Sequence, residues 1–108
     1  MSPSAPRSIP DVRRLNEKEL AVAVAQTARD RGWRRYHTHR SDFSPAGFPD
    51  ETLVRGGRLV IAELKSEGGK LSPLQAAWLE DLGQVAGIEV YLWRPEQWWD
   101  GTIERVLW

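Results

Sequence analysis

Apolar and polar positions alternate in two ways along this chain, and the change of period divides it into elements. Between Asn16 and Gly32 the apolar residues Leu20, Ala21, Val24 and Ala28 recur at helical spacing, which predicts an amphipathic helix ending near Arg31. Asn16 precedes it as an N-cap and Glu19 stands at the third helical position, a capping-box arrangement. Trp33 to Thr38 then reads as a first strand, and His39 to Pro49 as a polar loop. From Glu51 to Lys65 the period falls to two, with Gly56-Gly57 between the runs, so a hairpin is expected. Leu59 and Ile61 share one face of its second strand with Glu63, while Val60, Ala62 and Leu64 occupy the other. Both faces are apolar enough to be buried.

Ser66 to Leu71 is a polar loop, and Ser72-Pro73-Leu74-Gln75 opens a second helix with a cap, a first-turn proline and a glutamine placed to reach back to the cap. This helix is expected to run to about Ala86 and to be closed by Gly87. Ile88 to Trp93 follows as a buried strand, Pro95 to Asp100 as a short helical turn, and Thr102 to Leu107 as an edge strand. A helix between the Glu63 strand and the Ile88 strand implies a parallel crossover, hence an α/β mixed sheet flanked by helices.

The hairpin matters because of what stands at its base. A two-residue glycine turn pairs Arg55 with Arg58 and, counting outward, Asp50 with Glu63. Facing Cβ atoms in such a pair lie about 5 Å apart, where two carboxylates repel unless a cation sits between them. Lys65 falls on the face of Glu63, roughly 6.6 Å along the strand. Glu-x-Lys is common on solvated strands as a surface ion pair. At the end of a doubly apolar strand, however, these charges are costly unless they form a site.

Composition narrows the chemistry. The chain has 108 residues, no cysteine and two histidines, which points a metal site toward carboxylate oxygen and a hard divalent ion. That length suits a single small domain, residues 16–108, behind a proline-containing basic arm at 1–15 read as flexible. The arm lacks the apolar core of an export signal, and no apolar run is long enough to span a bilayer. A cytoplasmic protein without a membrane partner or small-molecule cofactor is expected. Formal net charge is zero, yet residues 1–40 carry nine basic and four acidic side chains and the remainder six and eleven. Arg34, Arg35, His37 and Arg40, with Lys70 further on, are candidate DNA contacts whose binding should be salt-sensitive. Arginines at a helix C-terminus also satisfy the macrodipole, so a solvated helix end explains part of this segment equally well. No Ser/His/Asp or Cys/His set and no phosphate-binding glycine loop before a helix is evident.

Taken in order, Gly47-Phe48-Pro49-Asp50, Ala62-Glu63-Leu64-Lys65, the run from Lys70 through Gln75 to Leu79, and Gly87 to Trp93 resemble the motifs of the virus-type replication-repair nuclease (VRR-NUC) domain. That domain is a branch of the PD-(D/E)xK nuclease superfamily, and Tyr36-His37-Thr38 also has a familial look. The resemblance implies a restriction-endonuclease-like sheet and a magnesium- or manganese-dependent DNA endonuclease acting on branched replication or recombination intermediates, in the manner of a Holliday-junction resolvase. It implies that Asp50 and Glu63 hold the metal with the Leu64 carbonyl as a further ligand, and that Lys65 orients or activates the attacking water and steadies the phosphate. Gln75 supports the site, and Glu17 or Glu19 supplies a first-helix acid. A homodimer is implied for so small a member, and a phage or other mobile origin is suggested. The chain departs from the branch after Asp50, where Glu51-Thr52 replaces the usual apolar residues. The alternative is a catalytically idle DNA-binding module of the same fold, or a scaffold whose acids form only surface pairs.

Overall fold

The computed structural model describes residues 15–39 and 45–108. The arm at 1–15 thus lies almost wholly outside the described residues, as does Arg40. Helix α1 (Glu17–Asp30) begins in the expected capping box: the Asn16 side chain accepts the Glu19 N–H at 2.7 Å, and the Glu19 carboxylate accepts the Asn16 N–H at 3.0 Å. Strand β1 (Arg34–His37) leads to β2 (Glu51–Arg55) and β3 (Arg58–Leu64). Helix α2 (Pro73–Gly83) then crosses to β4 (Glu89–Trp93), and two short helices, α3 (Pro95–Trp99) and α4 (Thr102–Leu107), complete the order.

The sheet has the spatial order β1-β2-β3-β4, antiparallel between the first three strands and parallel between β3 and β4. The crossover thus forms as expected. Gly56 and Gly57 both take positive φ, 55° and 82°, the backbone that a two-residue hairpin turn requires. Arg55 pairs with Arg58 and Glu51 with Ala62, so the register counted from the turn is the observed one.

The core forms on one face of the sheet. Leu53, Val60, Ala62, Leu64 and Trp93 meet Leu20, Val24 and Ala28 of α1 and Ile103 and Leu107 of α4, all essentially excluded from solvent. The opposite face is covered less completely: α2 carries no fully buried residue, although Ile61 and Glu63 beneath that layer are buried. Among the described residues no helix is long and apolar enough to cross a membrane.

Two expected boundaries are corrected. Residues 102–107 form a helix, not an edge strand, because Ile103, Val106 and Leu107 are buried or half-buried against the core. Spacings of three and four place them on one helical face, whereas a strand would turn Val106 away from the other two. The α4 segment is held by Trp33 Nε1–H, which donates to the Leu107 carbonyl at 2.8 Å, and by Arg55, which donates to the carbonyls of Arg31, Leu107 and Trp108. Helix α2 ends at Gly83, short of Ala86: the Gln84 and Val85 amides turn to carbonyls three residues back, at 3.2 and 3.0 Å. Glycine and a β-branched valine favour that early exit, and Gly87, at φ 89°, shapes the turn into β4.

The tryptophans divide. Trp33 and Trp93 are core residues. Trp78 is only half-buried and meets Phe48 edge-to-face at 5.0 Å. Trp98 packs against the core, whereas Trp99 and Trp108 are exposed, with the Arg31 guanidinium 4.0 Å above the Trp108 ring.

Candidate metal and phosphate site

The site forms where the base of the hairpin meets the N-terminus of α2. Asp50 is the residue before β2, and its Oδ2 accepts the Leu64 N–H at 2.9 Å across the hairpin. This bond orients the Asp50 carboxylate toward the end of β3 that carries Glu63. The Glu63 side chain is only 2% exposed. Its Oε2 accepts from Gln75 Nε2 at 3.0 Å, while its Oε1 is buried without any partner.

Such an orphaned carboxylate oxygen is unfavourable as an anion. Burial, then the facing Asp50 charge, push the Glu63 carboxyl up from an ordinary 4.5 to about 8; the positive charge of Lys65 works in the opposite direction. Asp50 stands close enough for a hydrogen bond between the two carboxyls when one is protonated. A divalent cation would perform the same neutralisation and give Oε1 its missing partner, so the donor set fits a hard metal ion. Among the described residues no cluster of three or more His, Cys, Asp or Glu side chains gathers. The site therefore offers two side-chain carboxylates, Asp50 and Glu63.

Gln75 joins helix to sheet through both ends of one amide. Its Oε1 accepts the Ser72 N–H at 2.8 Å in the capping box, and its Nε2 reaches Glu63. The capping and supporting roles considered from sequence are thus compatible. Between these groups lies a cleft of about 720 Å³, lined by Asp50, Lys65, Lys70, His39 and Gln75 together with Gly47, Phe48 and Leu74. The loop from Ser66 to Gly69, which leads into it, is clamped by Arg94 Nη1, donating to the carbonyls of Ser66 and Gly69 at 2.7 Å each.

Of the remaining sequence candidates, Glu17 is exposed but its charge raises the Glu63 carboxyl further, whereas Glu19 is engaged in the α1 cap. Arg34 is exposed on β1. Arg35 and His37 are committed elsewhere: Arg35 forks onto Glu51 at 2.7 and 2.9 Å, and His37 Nδ1 lies 2.7 Å from Glu51 Oε2. Sequence reasoning had not placed Glu51. Its signal was an acid at the position where the β2 alternation demands a core residue, two before Leu53.

Gly47 is a further necessity of the site. Its φ is +96°, and a Cβ there would meet Leu74 C and Cβ at 2.8 Å. Gly47→Ala should therefore push the loop carrying Asp50 away from the helix carrying Gln75. The expected destabilisation is about 1–3 kcal/mol, read as a lower urea midpoint in equilibrium unfolding; an unchanged midpoint would contradict the close packing.

No protein-family profile matches this chain, and no curated protein matches it in sequence. Among solved structures it is similar to a "VRR_NUC domain protein", with a TM-score of 0.61 and 22% identity over 85% of each chain. At that identity the match establishes the fold alone, a four-stranded mixed α/β sheet with flanking helices.

Proposed function

We propose that this protein is a magnesium- or manganese-dependent DNA endonuclease that hydrolyses phosphodiester bonds, with branched replication or recombination intermediates as substrates. The observation that carries this reading is the buried Glu63, with one orphaned oxygen, beside a half-buried Asp50 that lines a cleft together with Lys65. Asp50 and Glu63 would hold the metal, with the Leu64 carbonyl as a third oxygen. A divalent ion bound there supplies positive charge to the scissile phosphate and makes water a better nucleophile at neutral pH.

The protein groups divide the remaining work. Lys65 places a cation beside the Glu63 carboxylate and the phosphate, stabilising the charge that accumulates in the transition state. Gln75 fixes Glu63 by donating to Oε2, which leaves Oε1 directed at the metal position. Glu17 adds negative charge from α1. Lys70 and His39 line the cleft, and with Arg34 they form the proposed phosphate contacts. A two-fold homodimer would set two such sites against two strands of a four-way junction.

The reading is tested by incubating labelled four-way junction, flap and plain duplex with the protein in magnesium and in manganese. Cutting of the branched substrates in preference to duplex is expected. Binding of the junction without cutting in either metal would instead favour an idle DNA-binding module.

A further inference from the structure

Glu51 is the most deeply buried charge that the proposed chemistry does not use. It is fully excluded from solvent, and its neighbour in sequence is Asp50. We propose that Arg35 and Glu51, assisted by His37, are positioning residues that fix the Asp50 carboxylate, and are not DNA contacts. The inference rests on the nuclease reading only for the consequence of that positioning.

The geometry makes residues 49–51 a tethered unit. Arg35 Nε donates to Glu51 Oε1 at 2.7 Å and Nη2 to Oε2 at 2.9 Å, while His37 Nδ1 meets the same Oε2 at 2.7 Å. His37 is the register partner of Glu51. The next residue, Thr38, donates its N–H to the Asp50 carbonyl at 2.9 Å and its hydroxyl to the Pro49 carbonyl at 2.6 Å. Backbone and side-chain bonds from β1 and the adjoining Thr38 thus hold the three consecutive residues that contain Asp50.

Alternation explains why a charge serves where a core residue is expected. Adjacent residues on extended chain direct their side chains to opposite faces, so Glu51 is a handle on the face away from Asp50. An apolar side chain would fill that volume without fixing a direction. A guanidinium–carboxylate fork, by contrast, imposes one. Asp50 lies outside the strand itself, and β1 is an edge strand of only four residues, so this end of the sheet needs such a constraint. Glu51 occupies the Nε–Nη2 edge of Arg35, so that fork is closed to a phosphate.

The Leu64 amide reports the position of Asp50 directly, because it donates to Asp50 Oδ2. The experiment compares wild type with Glu51→Gln, which keeps the shape and removes the charge, and with Arg35→Lys, which serves if the first variant does not fold. Amide hydrogen exchange is read at Leu64, with Val60 and Ile61 as internal references. Exchange about tenfold faster at Leu64 with the references little changed is expected. The Mn²⁺ half-saturation, measured without DNA, should rise by about tenfold, while junction affinity in Ca²⁺ stays the same. Unchanged exchange at Leu64, equal acceleration at all three amides, or a loss of junction affinity with unchanged Mn²⁺ binding would each overturn the proposal. Should the wild type bind no Mn²⁺, the metal reading fails by itself, and the Leu64 exchange still decides whether Glu51 positions Asp50.

Discussion

Replacing Glu63 with glutamine should sharply reduce the proposed cleavage and, in the absence of metal at alkaline pH, make the protein more stable. The two effects share one cause. Glu63 is buried with an unpartnered oxygen and lies beside the Asp50 charge, and its carboxyl is raised from 4.5 to about 8. A carboxyl whose folded value lies above its unfolded value stabilises the native state fully below about 4.5; that contribution is lost as pH rises toward 8. Glutamine remains neutral throughout and keeps an oxygen for the Gln75 amide. The Tm difference between Glu63→Gln and wild type, without metal, should therefore widen between pH 5 and 8 and then level off. Each kcal/mol is worth about 4–8 °C in a domain of this size. Saturating magnesium should reverse the order, since only wild type supplies the second carboxylate. Cleavage should fall by about 10³-fold or more, comparable to loss of a principal transition-state stabiliser. Calorimetry with and without magnesium at pH 5 and 8.5 checks the stability claim; a Tm gap independent of pH would contradict it.

Lys65→Ala carries the second large effect, and it acts twice. The Lys65 cation lowers the proton affinity of Glu63, so without it Glu63 holds its proton to higher pH, and the alkaline rise of metal binding and activity should move further alkaline. Separately, the phosphate loses a cation lining the cleft. Turnover should drop by about 10²–10³-fold, with Lys65→Arg recovering part of it because the charge persists while the reach changes. The pH–rate profile distinguishes the two contributions. A variant with full turnover and an unmoved profile would remove Lys65 from the site.

Much of this arrangement was legible in the chain because short-range rules governed it. The Gly56-Gly57 turn set the hairpin register by counting alone, and the ladder, which ends with Glu51 opposite Ala62, leaves Asp50 beside Leu64 and Glu63. Both capping boxes were readable for the same reason, being local exchanges between a cap and the third helical residue. The C-terminal helix was not legible: Thr102 to Leu107 is too short for periodicity to separate helix from strand, and its identity depends on the distant Trp33 and Arg55 that hold it. Glu51 was missed for a similar reason. Its partners lie on another strand, across a loop, and only the folded sheet brings Arg35 and His37 onto it. What looked in sequence like a uniform basic segment divides into an exposed Arg34 and two side chains occupied by an internal carboxylate.

The central claim is that Asp50 and Glu63 would hold a divalent metal ion on which DNA cleavage depends. Its most direct test is cleavage of a labelled four-way junction in magnesium by wild type beside Asp50→Ala. Metal-dependent cutting by wild type that disappears in the variant, while junction binding in Ca²⁺ is retained, is the predicted result. Equal cutting by both proteins, or cutting that survives removal of the metal by a chelator, would contradict the account.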